Sequence, residues 1–256
     1  MKLIIKVLKH PSKALKELKY RFLKAVGHSD YKRFIVLSRS RTGSTMLISF
    51  LNSHPNIRAE EEIFSKLNGK DYENILKKTF SREPRNIKAK GFKIFYYHPQ
   101  DDESGAIWEE LIKLNDLLVI HLKRRNIFRT LISRKLAVIQ NSWIANSSKK
   151  LNQDKDKRVS FTVEELEEGF KQTREWERLG DEMFKNHSKI SVYYENLVSD
   201  PEDTFAKITD FLDLHYVEPK TNLRKQNPEN LRDLVTNYDE LKSAFSGTEW
   251  YSFFED

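Results

Sequence analysis

The chain has no cysteine, which excludes disulfides, thiolate nucleophiles and thiolate metal sites and suits a reducing compartment. Nor does any run approach the roughly 20 apolar residues of a membrane-spanning helix. The apolar stretch from Leu3 to Leu8 is interrupted by Lys6, and no small-residue cleavage site follows it, so a secretory leader is not expected. Surplus charge is missing from most of the chain. The net charge is +7, and residues 1–27 carry eight basic residues against one acid, Glu17, which accounts for all of it. With no excess left for the body of the protein, a general nucleic-acid-binding surface is not supported. There is no internal repeat. Charged residues at 32% and aromatics at 12% describe a folded rather than a disordered chain, and 256 residues suffice for one α/β domain with a substantial core.

What is present is organised around residues 33–51. Phe34-Ile35-Val36-Leu37 reads as a buried strand, and Met46, Leu47, Phe50 and Leu51 fall at helical spacing, so the stretch reads strand, turn, helix. The turn holds Arg39, Arg41, one glycine (Gly43) and four hydroxyl residues, Ser40, Thr42, Ser44 and Thr45. Helix-terminal N–H groups, hydroxyl donors and two cations at one place make an anion cradle. A glycine and a hydroxyl cap serve any helix start, but two arginines beside the positive end of a helix call for a counter-anion.

Ahead of it, residues 1–27 are divided by Pro11, and Leu15, Leu18, Phe22 and Val26 share one helical face with lysines around the other. Two readings stay open: a helix packed on the domain, or an arm lying on an anionic membrane surface. Beyond it, Ser53-His54-Pro55-Asn56 stops the helix, and Glu60-Glu61-Glu62 precedes Ile63-Phe64. Glu83-Pro84-Arg85-Asn86 is a turn. Ala89 to Tyr97 reads as a second strand containing Lys90 and Lys93, with His98-Pro99 after it. Asp116 to Leu122 is a third strand running into Lys123-Arg124-Arg125-Asn126 and a helix through Ile127, Leu131, Ile132 and Leu136. In an open parallel sheet ligands sit beyond the carboxyl ends of the strands, so two basic strand-to-helix turns imply a ligand with two separated anionic groups. Residues 146–160 read as a polar loop. Thr162 and Glu165 form a capping box for a long helix, Lys189 to Tyr194 is a fourth strand, and Asp200-Pro201 starts another helix. The aromatic end, Trp250, Tyr251, Phe253 and Phe254, is expected to dock on the fold.

Arg41-Thr42-Gly43-Ser44-Thr45 after a strand, Arg125 with Ser133 eight residues on, and Tyr194-Glu195-Asn196-Leu197-Val198-Ser199-Asp200-Pro201 together resemble the sulfotransferase family. His54-Pro55-Asn56-Ile57 leading to Glu62-Ile63-Phe64 is more similar to its carbohydrate-type branch than to its cytosolic phenol and steroid enzymes. The resemblance implies a P-loop-like α/β fold of three layers, a central parallel sheet flanked by helices. It implies 3′-phosphoadenosine 5′-phosphosulfate as donor, with adenosine 3′,5′-bisphosphate as product and no metal. Carried over, Arg39, Arg41, Thr42, Gly43, Ser44 and Thr45 would hold the 5′-phosphosulfate, and Arg125 and Ser133 the 3′-phosphate. Arg41 stands where most relatives have lysine. The glycine-rich segment that closes over the nucleotide in cytosolic members is missing, and Arg224 and Lys225 are candidates for its phosphate contacts.

Sulfuryl transfer needs in-line geometry, positive charge at the leaving oxygen and a base for the acceptor hydroxyl. Arg41 and Lys93 are candidates for the charge. Glu62 is the candidate base by the carbohydrate-type resemblance, and His98 is its rival. The expected organisation is a basic arm over 1–28 and one catalytic domain over 29–256. The acceptor, a small molecule or glycan, is expected to be a carbohydrate or glycolipid sulfated on a hydroxyl, and the location cytoplasmic, with contact to an anionic membrane through residues 1–27. A P-loop nucleotide kinase or NTPase is the main alternative, but the Gly-x-x-x-x-Gly-Lys-Ser/Thr spacing is absent. The other is a non-catalytic anion-binding or membrane-associated module.

Overall fold

Five parallel strands form one sheet in the order β2-β3-β1-β4-β5. They are β1 (Lys32–Ser38), β2 (Ile57–Glu60), β3 (Ala89–Phe95), β4 (Leu118–Lys123) and β5 (Lys189–Tyr193). The computed structural model describes residues 20, 22–140, 158–221 and 229–255. Most of the basic arm, nearly all of the polar loop 146–160, and Arg224 with Lys225 lie outside the described residues.

Helix α1 (Ser44–Ser53) follows β1, α2 (Tyr72–Thr79) follows β2, α3 (Ala106–Lys113) follows β3, and α4 (Ile127–Gln140) follows β4. Next come the long α5 (Val163–Met183), then α6 (Tyr194–Ser199) and α7 (Pro201–Phe211) after β5, and α8 (Leu231–Leu234) and α9 (Tyr238–Ala244). Both capping signals are made as the sequence predicts: Thr162 accepts from the Glu165 N–H at 3.1 Å, and Asp200 accepts from the Asp203 N–H at 3.1 Å.

Phe34 to Leu37 of β1 are apolar without a break because both faces of a parallel strand are covered. Phe34 and Val36 meet Leu47 and Leu51 of α1 and Phe205 and Ile208 of α7. Ile35 and Leu37 meet Phe92, Ile107, Leu111 and Phe184 on the other side. A third cluster joins α4 and α5 to the C-terminal aromatics, with Phe128, Phe170, Trp250, Phe253 and Phe254 all buried. The aromatic tail is therefore docked.

One strand was not expected. Ile57-Arg58-Ala59-Glu60 forms β2 at the sheet edge, so the strands read from sequence as second, third and fourth are β3, β4 and β5. The short strand is held on one side by β3 and on the other by a side chain. Asn52 of α1 donates to the Ala59 carbonyl at 2.7 Å and accepts from the Ala59 N–H at 2.9 Å.

The segment before β1 is fastened to the fold by a carboxylate that sequence reading leaves in a surface turn. Glu83 is fully buried, and Tyr20, Lys24 and Lys90 all donate to it. Its backbone pairs with that of His28.

Candidate active site

β1 sits between β3 and β4, so the chain leaves the sheet centre in one direction and returns to build the other. The carboxyl end of β1 is therefore the switch point at which an open α/β sheet leaves a crevice. The turn from β1 to α1 lies there.

Two residues of this turn have left-handed backbones, Arg41 at φ 70° and Gly43 at φ 86°. A Cβ on Gly43 would lie 2.3 Å from the ring of Tyr194, so position 43 needs glycine twice over, for conformation and for space. Thr42 turns its hydroxyl back to the Arg39 carbonyl at 2.8 Å, and the Gly43 carbonyl takes the N–H groups of Met46 and Leu47. The N–H groups of Ser44 and Thr45, at the start of α1, have no helical carbonyl to reach.

Two corners flank this helix start. At the first, Lys93 of β3 donates to the Thr45 hydroxyl at 3.1 Å and pairs with Glu61 at 2.5 Å and Glu62 at 3.1 Å. His98 places Nε2 3.9 Å from Glu62 Oε2. The structure thus gathers Glu62, Lys93, His98 and Thr45, which are scattered over more than fifty residues of sequence. Burial, and secondly the charge of Lys93, push the His98 imidazole down to about 4, so the ring is neutral at physiological pH. Its Nδ1 accepts the Phe95 N–H at 3.2 Å, and the proton of a neutral ring then belongs on Nε2. The nitrogen facing Glu62 is a donor, not a base.

At the second corner, Arg41 Nε donates to Ser133 Oγ of α4 at 2.9 Å. Arg124, buried at the end of β4, donates to the Arg41 carbonyl at 3.2 Å and lies 4.4 Å from the centroid of the Tyr194 ring. Burial lowers the basicity of Arg41 and Arg124 alike. Arg125 has partners other than Ser133: it donates to Asn196 at 2.8 Å and stacks over Tyr193 at 4.4 Å. Glu195 accepts the backbone N–H groups of Arg125 at 3.1 Å and Asn126 at 3.3 Å. The Tyr194-Glu195-Asn196 motif therefore braces the β4–α4 turn and the Gly43 loop together. A cavity of about 730 Å³ opens here, lined by Arg124, Arg125, Arg129, Arg174, Tyr193 and Phe253, among others.

Arg39 departs from the expected arrangement. It is buried, donates to Thr173 of α5, and lies 5.5 Å from the centroid of Trp176. Burial, and then Arg134, bring it down to about 10. Arg124 is the residue that sequence reading passed over. The basic run 123–125 signals it, but which member turns under the loop is set by the end of β4, where Lys123 is already paired with Asp181 at 2.7 Å.

The Nε atoms of Arg39 and Arg124 are buried with no hydrogen-bond acceptor among the described residues. A desolvated guanidinium that holds the loop, as that of Arg124 does, fits together with open helix N–H groups an anion of phosphate or sulfate geometry.

Comparisons with known proteins agree with this chemistry. A family model described as "Sulfotransferase family" matches residues 111–218. Nodulation protein H of Rhizobium tropici is 27% identical over 237 residues, covering 87% of this chain and 92% of that protein. Nodulation protein H of Rhizobium meliloti (strain 1021) is 27% identical over 237 residues, covering 87% and 94%. The crystal structure of a sulfotransferase from Alicyclobacillus acidocaldarius superposes with a TM-score of 0.50 at 14% identity, covering 83% of this chain and 90% of that one. That likeness is one of fold.

Proposed function

We propose that this chain, a member of the sulfotransferase family, draws its sulfuryl group from 3′-phosphoadenosine 5′-phosphosulfate and passes it to a hydroxyl of a carbohydrate or glycolipid acceptor. The observation that carries the reading is the pair of corners around one helix N-terminus. Lys93, Thr45 and Glu62 stand on one side; Arg41, Ser133 and Arg124 stand on the other.

In this reading the donor lies across the β1–α1 turn. The N–H groups of Ser44 and Thr45 and the Arg41 guanidinium hold the 5′-phosphosulfate, with Arg124 supporting the loop from below. Ser133 and Arg125 take the 3′-phosphate, Arg125 after leaving Asn196. Glu62 removes the proton of the acceptor hydroxyl as the new O–S bond forms and the bond from sulfur to the bridging phosphate oxygen breaks. Lys93 meets the charge that develops on that oxygen, where a positioned cation is worth most. Arg41 cannot give up a proton, so its part is charge and alignment. Residues 29–256 act as the catalytic domain, and the basic arm before them brings the enzyme to an anionic membrane face in the cytoplasm. Among the described residues no helix is long and apolar enough to cross a membrane.

Isothermal titration with adenosine 3′,5′-bisphosphate tests the donor. Binding is expected, and at a hundredfold excess over Kd it stabilises the fold by about 2.7 kcal/mol. No binding to the wild type would overturn the donor assignment. Transfer from labelled donor to a panel of saccharides then tests the acceptor class.

A further inference from the structure

A groove of about 660 Å³ lies along α2, between this helix and the end of β2. Ile63, the residue after Glu62 in the chain, is on its wall. Four lysines line it, Lys24, Lys66, Lys70 and Lys78, against two acids, Glu60 and Asp71.

Both acids are already engaged. Glu60 lies 3.5 Å from Lys90. Asp71 caps α2, accepting from the Glu73 N–H at 3.0 Å and from Asn74 at 2.7 Å. Lys24 is paired with Glu83 at 3.0 Å. Lys66, Lys70 and Lys78 are exposed and form no salt bridge with a described residue. Three ammonium groups around one concave surface repel one another, and an incoming anion relieves that repulsion. Compact ammonium charges suit a phosphate or sulfate approached from several sides, and Ile63 and Ile75 on the walls offer apolar surface to a carbon skeleton.

We infer that this groove is the acceptor subsite and that the acceptor carries an anionic group, a phosphate or sulfate, held by Lys66, Lys70 and Lys78 while its hydroxyl reaches Glu62. The inference rests on the proposed role of Glu62 and adds the class of acceptor. The anionic group belongs either to a soluble sugar ester or to a lipid headgroup.

The test uses the full chain saturated with adenosine 3′,5′-bisphosphate, so that the donor site is closed to other anions. Two probes are titrated: glucose 6-phosphate against glucose, and phosphatidylglycerol vesicles against phosphatidylcholine vesicles. One charged probe is expected to bind and its neutral counterpart to bind at least tenfold more weakly; which charged probe binds identifies the source. The triple variant Lys66→Gln, Lys70→Gln, Lys78→Gln should lose at least tenfold in affinity for that probe, and the triple arginine variant should keep it. In the vesicle arm the comparison is repeated on protein lacking residues 1–19, so that the basic arm does not supply the binding. The inference is overturned if neither charged probe binds the wild type, or if the glutamine variant binds as the wild type does. Failure of adenosine 3′,5′-bisphosphate to bind at the outset would instead strike the donor assignment.

Discussion

His98 faces Glu62 with the nitrogen that carries its proton. Nε2 stands 3.9 Å from Glu62 Oε2, and Nδ1 is closed off by the Phe95 amide. A ring so held can orient a carboxylate but has no lone pair to offer an acceptor hydroxyl.

Glu62→Gln should therefore lower turnover by about 10²–10⁴-fold with binding of adenosine 3′,5′-bisphosphate nearly intact. His98→Ala should cost much less. Its pH–rate profile between 5 and 8 should keep the wild-type shape, because a group pushed down to about 4 stays neutral across that range. A histidine variant as inactive as Glu62→Gln would reverse the assignment.

Gly43→Ala is expected to damage the donor site more than the fold. The added methyl meets the Tyr194 ring in a left-handed backbone, which costs about 1–2 kcal/mol in conformation alone. Calorimetric titration should show weakened bisphosphate binding, with a melting temperature lowered by several degrees.

Glu83 should govern acid stability. Burial pushes its pKa up, but hydrogen bonds from Lys90 and Tyr20 and the charge of Lys90 outweigh it, and the net shift is downward. A depressed carboxylate stabilises the fold above its unfolded pKa, and that stability is lost as pH falls through the lower folded value. Glu83→Ala leaves buried Lys90 only the half-buried Glu60, 3.5 Å away, and should cost about 3 kcal/mol in urea denaturation at neutral pH. The gap between variant and wild type should narrow as the solution is acidified.

The arm prediction has a sharp boundary. Tyr20 and Lys24 hold Glu83, so a deletion ending at residue 19 removes basic residues without undoing this anchor. Each Lys or Arg near an anionic leaflet contributes about 1 kcal/mol, screened by salt. The truncated protein should sediment with phosphatidylglycerol vesicles at low salt far less than the full-length protein does, while binding adenosine 3′,5′-bisphosphate as before. A full-length protein that ignores the vesicles at low salt removes the membrane proposal.

The parts of the fold legible in sequence are those specified by neighbours along the chain. The β1–α1 turn shows in its glycine and hydroxyls, α5 and α7 in their caps, and the parallel sheet in its uninterrupted apolar runs. What was not legible depends on distant partners. β2 exists because Asn52 and β3 bracket four unremarkable residues. Glu83 reads as a polar turn residue until Lys90 and Tyr20 are seen to bury it. Arg39 and Arg41 look equivalent in sequence, yet Trp176 and Thr173 of α5 draw the first inward. Ser133 takes the second.

Asn52 does more than complete β2. An edge strand ordinarily offers its free N–H and C=O groups to any extended peptide that passes, the first step of strand swapping and of fibril growth. At Ala59 both groups are already taken by a side-chain amide that imitates a neighbouring strand. The sheet is thereby closed on this side by its own helix, and a second chain seeking to extend it would have to displace Asn52 first.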